Sequence, residues 1–242
     1  MSLICVMYHH VNSDDLSNDL EMFDKHLEYI SNNFISVFPG EKLAKNSICL
    51  TFDDAYADFY FLVYPLLKKY NLKAILGVPT KFILQSTSVE PKKRMSFKHN
   101  AASQNYKFGS HTTFDELKEM IDSSLIQVAS HSHSHIVLTD EGVDLNLELK
   151  HSKEILESNL NIKVDSFIFP FGKYNKNILN EAKKHYKYNF RIGSAIQKDF
   201  KGINGVIYRI KGDNLKSPDE IFKFKNMLKY RLKALFKRIS QK

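Results

Sequence analysis

The stretch Ser47-Ile-Cys-Leu-Thr-Phe-Asp53-Asp54 decides the fold class of this chain, because an apolar run of strand length ends there in two adjacent carboxylates. A second apolar run, Ile126-Gln-Val-Ala-Ser, leads into three histidines at alternate positions, His131, His133 and His135. Two strands that both deliver metal-type ligands at their C-terminal ends indicate one site at the mouth of a parallel sheet or barrel. The pattern predicts a metal-dependent hydrolase.

Apolar runs of strand length alternate with helical patterns along the 242 residues, as expected for successive β-α units. The predicted strands lie near 3–9, 47–53, 73–78, 126–131, 165–170, 188–193 and 206–210. The predicted helices lie near 19–33, 56–70, 112–123, 144–160, 175–186 and 217–240. Seven strands with helices between them fit a barrel of the TIM type, complete or incomplete, better than an open sheet. We therefore predict the α/β class and a seven-stranded (β/α) barrel.

The barrel domain is predicted to cover residues 1–214, and a basic amphipathic helix is predicted within residues 215–242. One segment, near 85–111, interrupts the alternation of strands and helices. It is polar, has no clear period and carries Lys92-Lys93-Arg94 and Lys98-His99. Function-specific loops of barrels leave the tops of strands in this way. The segment is therefore either a substrate lid or a disordered loop.

The net charge of +8 is concentrated near the C-terminal end of the chain. The segment 221–242 holds eight basic residues and no acidic residue, so the rest of the chain carries 27 basic and 27 acidic residues. An apolar stripe at helical spacing lies within this segment and consists of Phe224, Leu228, Leu232, Leu235 and Ile239. The helix could pack on the barrel with a solvated basic face, or residues 217–242 could contact an anionic membrane or glycan. Nucleic acid is disfavoured because no recognition module is present.

Two cysteines, Cys5 and Cys49, lie inside apolar strand-like runs and predict buried, reduced thiols rather than a disulfide framework. The N-terminal residues include no basic n-region and too short an apolar run for a signal peptide. No segment reaches the roughly 18 apolar residues that a membrane span needs. We therefore expect a cytoplasmic protein, with a peripheral position at the inner membrane face as an option, unless a leader was removed before numbering.

The two adjacent carboxylates, Asp53 and Asp54, alternate faces if they continue the strand. At a strand end the chain turns, so both can reach one cavity with different roles. One can bind a metal while its neighbour faces the substrate as a base. The alternative is a helix N-cap, because Asp54 precedes Ala-Tyr-Ala-Asp and would interact well with a helix dipole there.

The three histidines share one face if the strand continues, whereas His131 and His135 pair at i, i+4 if the chain becomes helical. In both cases at least two imidazoles converge. Two histidines and one carboxylate form a common catalytic zinc set, which leaves open positions for water and substrate. The sequence therefore predicts a metal site that combines this cluster with the carboxylate pair.

Four short motifs resemble those of one known family in the same order along residues 3 to about 210. They are Thr51-Phe-Asp-Asp-Ala, Ser130-His-Ser-His-Ser-His135, Phe169-Pro-Phe-Gly172 and Val6-Met-Tyr-His-His-Val11. The first is similar to Thr-Phe-Asp-Asp-Gly of the polysaccharide deacetylases, carbohydrate esterase family 4, also called the NodB-homology domain. The others are similar to the His-Ser/Thr-x-x-His, Tyr-Pro-Tyr-Gly and Met-Tyr-His-x-Val motifs of that family.

The resemblance implies a distorted (β/α) barrel of the polysaccharide deacetylase type with one divalent metal ion. Carried over by position, the metal ligands are Asp54, His131 and His135. The catalytic base is Asp53, and the backbone N–H of Phe171 donates to the oxyanion. His133 is not a ligand in this pattern. We expect zinc, although cobalt, nickel or iron would accept the same ligands.

The chain departs from the family pattern at three positions. The arginine that often precedes the third motif and holds the catalytic aspartate is Ile168 here. Arg209, at the end of the last predicted strand, could supply that guanidinium from another strand. Ala55 stands where the family has a glycine. The late histidine that protonates the leaving amine is missing, since no histidine follows His185. We predict that His9, at the end of the first strand, takes this role as general acid in preference to its neighbour.

These residues predict a metal-dependent N-deacetylase, a hydrolase of a non-peptide C–N bond. Its expected partner is an N-acetylated sugar of a cell-envelope polysaccharide or of its lipid- or nucleotide-linked precursor. One alternative is a hydrolase of a small cyclic or linear amide on the same scaffold. A second alternative is a catalytically weak glycan- or membrane-binding protein that kept the barrel.

Overall fold

The computed structural model of the protein describes residues 2–240, and of residue 240 the backbone alone. The ten strands within this range are β1 (Ile4–Tyr8), β2 (His10–Val11), β3 (Ser17–Asn18), β4 (Ile35–Ser36), β5 (Ser47–Phe52), β6 (Ala74–Val78), β7 (Ile126–Ser130), β8 (Ser166–Ile168), β9 (Tyr188–Ile192) and β10 (Ile207–Lys211). The α-helices are α1 (Leu20–Asn33), α2 (Tyr64–Lys69), α3 (Pro91–Arg94), α4 (His99–Ala102), α5 (Phe114–Asp122), α6 (Ser152–Leu160), α7 (Lys176–His185) and α8 (Phe224–Ser240).

The predicted seven-stranded barrel is confirmed. Seven strands pair in parallel in the order β1-β10-β9-β8-β7-β6-β5, and a further parallel pairing of β5 with β1 closes the barrel. The ends of all seven lie within two residues of the predicted positions. The sequence did not predict β2, β3 and β4, which are two residues long each and therefore too short to show a period.

Three helices, α1, α5 and α7, begin after residues whose side chains accept a hydrogen bond from the first turn. Asp19 caps α1 and Asn175 caps α7 in this way. Thr113 and Glu116 form a reciprocal capping box at the start of α5. The chain has short π-helical segments directly before α2 and α6, at Phe59–Val63 and Asn146–His151. The helices pack an apolar side on the outside of the barrel, so its strands are buried on both faces.

The lower part of the barrel interior, here called the barrel floor, is an apolar cluster. Its members on or next to the barrel strands are Leu3, Cys5, Cys49, Ile75, Ala129, Ile168, Tyr188, Phe190 and Ile207. Cys5 and Cys49 are paired in register across β1 and β5 and are free, buried thiols, as predicted. Because side chains alternate along a strand, Cys49, Thr51 and Asp53 face the same interior. The apolar floor therefore leads directly to the polar mouth.

The segment 85–111 is folded, so the alternative of a disordered loop is wrong. It contains α3, α4 and the 3-10 helix Ser103–Phe108. Arg94 is buried and holds the segment to the barrel domain. Its guanidinium pairs with Glu116 on α5 and donates to the carbonyl oxygens of Gly109 and His111. These contacts fix the segment beside the mouth of the barrel.

The last helix covers the connection between β9 and β10, where the described residues form no helix. The backbone N–H of Ile196 in this connection donates to the carbonyl of Tyr230 on α8 (3.5 Å). The helix begins later than predicted, at Phe224, because the extended backbone of Lys223 (ψ 139°) separates it from the 3-10 turn Glu220–Phe222. Within residues 2–240, no helix combines the length and the apolarity that crossing a bilayer requires.

Candidate metal centre and active site

The mouth of the barrel brings together one aspartate and two histidines from two strand ends. Asp54 follows β5, and His131 and His135 follow β7. Oδ1 of Asp54 lies 3.4 Å from Nε2 of His131 and 3.1 Å from Nε2 of His135. One ligand atom from each of the three residues lies within 4.8 Å of the others, which makes this a group that could hold a metal ion.

The backbone after β5 turns so that both carboxylates enter the same cavity. Asp53 continues the inward alternation of β5, and its N–H donates to the carbonyl of Tyr8 (2.9 Å). Asp54 and Ala55 both adopt left-handed backbone conformations, with φ of 68° and 51°. A glycine adopts this conformation without steric cost, which explains why the related motif has glycine at the position of Ala55. Asp54 is not the N-cap of any described α-helix.

Neighbouring groups hold the two histidines in the form and orientation that a metal requires. A carbonyl oxygen only accepts, so the 2.8 Å contact of His131 Nδ1 with the carbonyl of Ile168 places the proton on Nδ1. The lone pair of Nε2 then faces Asp54. Burial lowers the pKa of His135 despite the opposing charge of Asp54, which favours the neutral imidazole that binds metals.

A divalent metal ion fits these three side chains. Oδ1 of Asp54 is buried and has no hydrogen-bond partner, although it faces two imidazole nitrogens. A cation between the three atoms would satisfy the carboxylate oxygen and both lone pairs. His133 lies elsewhere, since its Nδ1 is 2.9 Å from Oγ1 of Thr80 and its backbone N–H donates to Glu148.

The neighbouring carboxylate, Asp53, is held by Arg209. The guanidinium of this fully buried arginine makes two hydrogen bonds to Asp53, at 2.5 and 2.8 Å, and a third to Oγ1 of Thr51 at 3.0 Å. Burial raises the pKa of Asp53, but the charge and the hydrogen bonds of Arg209 outweigh it, and the net pKa is below the ordinary value. Asp53 is therefore ionised at neutral pH. The arginine that holds Asp53 therefore comes from β10. Ile168, which stands where the family often has such an arginine, belongs to the barrel floor.

His9 lies beside Asp53 in the same cavity and is fixed by Asp213. Asp213 accepts a hydrogen bond from His9 Nδ1 and one from the backbone N–H of His9, both at 2.9 Å. The other ring nitrogen, Nε2, lies 3.9 Å from Asp53. Burial alone lowers the pKa of His9, but the hydrogen bond and charge of Asp213 raise it to about 9. His10, in contrast, lies against Asp58 and stacks on Tyr56.

Asp213 and His99 are site residues that the sequence interpretation missed. Asp213 lies two residues beyond β10, so a carboxylate after the last predicted strand was the available signal. His99 begins α4 in the segment 85–111 and lines the site cavity, with Nδ1 3.3 Å from the hydroxyl of Tyr56. The sequence gives no signal for His99, because the path of this segment depends on contacts with distant residues.

These groups open onto one cavity of about 200 Å³ at the mouth of the barrel. His9, both aspartates and the two predicted histidine ligands line it together with apolar side chains, among them Phe169, Phe171 and Ile192. Phe171 has a left-handed backbone (φ 56°), and its ring centroid lies 4.8 Å from that of His135. The cavity thus combines a candidate metal site, an ionised carboxylate and a protonated histidine, which is a set suited to hydrolysis of an amide.

The fold and the site define a parallel (β/α) barrel protein with a His-His-Asp group at its mouth. Residues 40–189 match the family model described as polysaccharide deacetylase, which is more than half of the chain. The chain belongs to the polysaccharide deacetylase family, whose members are hydrolases of the amide bonds of acetylated sugars, as its motifs predicted.

Individual relatives are distant. The chain is 27% identical over 191 residues to YxkH of Bacillus subtilis (strain 168), which covers 74% of this chain and 60% of that protein. It is 23% identical over 173 residues to poly-beta-1,6-N-acetyl-D-glucosamine N-deacetylase of Escherichia coli O157:H7, which covers 60% of this chain and 25% of that protein. The chain thus matches less than two thirds of the length of these relatives.

The solved structure of the Streptococcus pyogenes deacetylase PplD, in complex with acetate, has the same fold. It superposes with a TM-score of 0.72 at 24% identity and covers 95% of this chain and 98% of that chain.

Proposed function

We propose that the protein is a metal-dependent N-deacetylase that removes acetyl groups from an N-acetylated sugar of a cell-envelope polysaccharide or of its lipid- or nucleotide-linked precursor. One observation carries the proposal: the metal-type ligands, the ionised Asp53 and the protonated His9 face a single cavity. The named activity of the relative from Escherichia coli supports an N-acetylglucosamine polymer as the substrate class.

Asp54, His131 and His135 would hold the divalent ion, with zinc as the expected metal. When bound, the metal supplies Lewis-acid polarisation of the acetamide carbonyl and lowers the pKa of a coordinated water. The ligand set of two imidazoles and one carboxylate leaves positions for water and substrate. Cobalt, nickel or iron would accept the same three side chains.

Asp53 acts as the general base in the proposed reaction. It is ionised, it adjoins the metal ligand Asp54 in sequence, and its Oδ2 lies 4.0 Å from Nε2 of His131. The two hydrogen bonds from Arg209 fix the plane of the carboxylate. Asp53 therefore receives the proton of the attacking water without a change of rotamer.

The backbone N–H of Phe171 is the proposed donor to the oxyanion. The turn at Pro170–Gly172 places Phe171 against His135, at the edge of the metal ligands. The ring of Pro170 restricts φ and helps to keep this turn in place. A donor fixed in advance stabilises charge that develops in the transition state and costs no reorganisation during the reaction.

His9 is the proposed general acid, and Asp213 is the residue that positions it. With a pKa of about 9, His9 carries a proton at neutral pH. Nδ1 is occupied by Asp213, so the proton on Nε2 is available on the side of Asp53 and the cavity. Transfer of that proton to the sugar nitrogen releases the amine as the C–N bond breaks.

The test is acetate release from N-acetylglucosamine oligomers and from lipid- and nucleotide-linked N-acetyl sugars, with added zinc or cobalt. We expect metal-dependent release by the wild type, none by Asp53→Asn, and loss of bound metal by elemental analysis in His131→Gln. The control His133→Gln should keep both the metal and the activity, because His133 contacts Thr80 and not the ligand group.

The same assay separates the alternative functions. Turnover of small cyclic or linear amides without acetate release from any sugar would identify a small-amide hydrolase. Bound metal with no turnover of either substrate class would identify a catalytically weak binding protein. The expected cytoplasmic location stays a prediction.

A further inference from the structure

The apolar stripe that the sequence indicates on the last helix faces solvent, not the barrel. Exposed large apolar side chains are concentrated on α8, which carries six of the ten found in the described part of the chain. Phe224, Phe236 and Ile239 are exposed by 84%, 70% and 72%. Leu228, Leu232 and Leu235 are about half exposed. A soluble surface rarely presents a continuous apolar patch of this kind without a partner.

A different side of α8 holds the helix on the barrel domain. Met227, Tyr230 and Ala234 join the main core cluster, and Nζ of Lys237 lies 4.2 Å above the ring of Tyr208. Successive residues of an α-helix are rotated by about 100° around the helix axis. By this rotation the stripe occupies an arc of about 80° around the axis, and its centre lies about 130° from the centre of the packed side. The residues of the stripe are Phe224, Leu228, Leu232, Leu235 and Ile239. The helix is thus docked by one side and presents a second apolar side along about 22 Å.

Basic side chains border the exposed stripe on both edges. Lys225 and Lys229 lie on one edge, and Arg231 and Arg238 lie on the other, all within about 100° of its centre and all exposed. The segment 221–242 contains no acidic residue, so the helix itself places no negative charge beside the stripe. An apolar stripe between two basic edges is the arrangement of a helix that lies in a membrane interface, with its cations at the level of the headgroups.

We infer that α8 binds the surface of an anionic phospholipid bilayer and holds the deacetylase domain on the membrane. The apolar stripe enters the boundary between headgroups and acyl chains, and Lys225, Lys229, Arg231 and Arg238 contact the lipid phosphates. The helix can do this without unfolding, because the side that packs on the barrel is not the side that meets the lipid. The inference does not depend on the deacetylase activity.

Charge favours an anionic bilayer over two other partners, a second copy of the chain and nucleic acid. A second copy of the chain would bring basic edges against basic edges, so self-association through the stripe is opposed by repulsion. Nucleic acid would attract the basic edges but would leave the apolar stripe in contact with a charged backbone. An anionic bilayer satisfies both the stripe and its edges.

The test is cosedimentation of the full chain with vesicles of phosphatidylcholine alone and with vesicles of the same size that also contain phosphatidylglycerol. We expect binding to the anionic vesicles, weaker binding at high salt, and little binding to the neutral vesicles. The triple variant Lys225→Gln, Lys229→Gln, Arg231→Gln should lower the partition coefficient by roughly 100-fold. The double variant Leu228→Ser, Leu232→Ser should lower it at least about tenfold.

Matched controls carry equal changes elsewhere on the surface. One control is a triple variant that removes three exposed positive charges outside α8: Lys42→Gln, Lys45→Gln and Lys176→Gln. Ile35→Ser with Phe108→Ser removes two exposed apolar side chains outside α8. Both controls should bind vesicles as the wild type does. Circular dichroism of each variant shows whether the fold is kept, and the comparison of the two vesicle types with the wild type needs no variant.

Three results would overturn the inference. The first is equal binding of the wild type to neutral and anionic vesicles, or no binding to either. The second is a wild-type dimer in analytical ultracentrifugation that the double leucine variant converts to a monomer, in the absence of vesicle binding. The third is tight binding to duplex DNA that survives the double leucine variant, again without vesicle binding. Acetate release is measured separately, so failure here leaves the proposed activity untouched.

Discussion

The floor and the mouth of the barrel are lined by successive inward side chains of the same strands. On β5, Cys49 belongs to the apolar floor and Thr51 binds Arg209, and directly after the strand Asp53 faces the candidate active site. On β10, Ile207 belongs to the floor and Arg209 to the mouth. Two positions along a strand therefore separate side chains that stabilise the barrel by packing from side chains whose placement serves the chemistry.

The comparison teaches that the two layers contribute differently to stability. Floor residues gain free energy from burial and close packing. A buried ion pair such as Asp53 with Arg209 must overcome the cost of removing both charges from water, so it is weak evidence for stability. We therefore expect changes in the mouth to affect activity most and changes in the floor to affect the free energy of unfolding most.

Asp53→Asn is expected to have the largest effect on activity. Loss of the proposed general base should lower kcat by roughly 10²- to 10⁴-fold. The amide keeps the shape of the carboxylate, so bound metal should be retained. The measurement is steady-state acetate release, with Asp58→Asn as the control, because Asp58 is equally buried but contacts His10 and not the cavity. Equal losses in the two variants would contradict the assignment.

Ile75→Ala tests the floor. Removing most of a fully buried side chain from the cluster should lower the free energy of unfolding by about 2–5 kcal/mol. Because Ile75 does not line the cavity, the kcat of the folded fraction should stay near that of the wild type. Urea unfolding and active-site-normalised kinetics measure the two quantities. A large loss of kcat with unchanged stability would erase the distinction between floor and mouth.

Asp213→Asn tests the pKa of His9 within the mouth. The general acid must be protonated, and Asp213 keeps its pKa at about 9, so activity should persist up to that pH in the wild type. Without the carboxylate the pKa should fall toward about 6.5, and activity at pH 8 should drop about thirtyfold while activity at pH 6 changes little. The pH profile of kcat is the readout. A loss that is the same at both pH values would indicate damage to the fold instead.

Ala55→Gly should have the smallest effect. Glycine relieves the left-handed conformation at φ 51°, but the buried methyl group is lost, so the free energy of unfolding should change by less than about 1 kcal/mol. The control Ala57→Gly removes an equally buried methyl group at a position without a positive φ and should destabilise more. If both variants were equally destabilised, strain at Ala55 would play no part in the turn.

The barrel could be predicted from the sequence because strand periodicity and strand-end chemistry are local. The length of each apolar run predicts the length of its strand. Carboxylates or histidines directly after a run predict that the site lies at that end of the strand. Contacts that depend on closure could not be predicted in the same way. Asp213 meets His9 because β10 pairs with β1, and His99 reaches the cavity in a segment that Arg94, Asp14 and Tyr56 hold in place.

Arg209 and α8 show two intermediate cases. The sequence suggested that a guanidinium from the last strand could replace the one absent at Ile168, and the structure places Arg209 on Asp53. For α8 the stripe was visible in the sequence, but which side would pack was not. Helical periodicity predicts which residues share one side of a helix. Whether that side is exposed depends on which residues of the helix pack against the barrel.

The register pairing of Cys5 with Cys49 places a thiol on each side of the seam where β1 meets β5 and the barrel closes. Both thiols are inaccessible to solvent, and burial raises the pKa of Cys49, so a thiol reagent cannot react while the seam is closed. The rate of thiol alkylation under native conditions therefore measures how often the pairing of β1 with β5 opens. This rate distinguishes local opening of the closed sheet from fluctuations of the loops at the mouth.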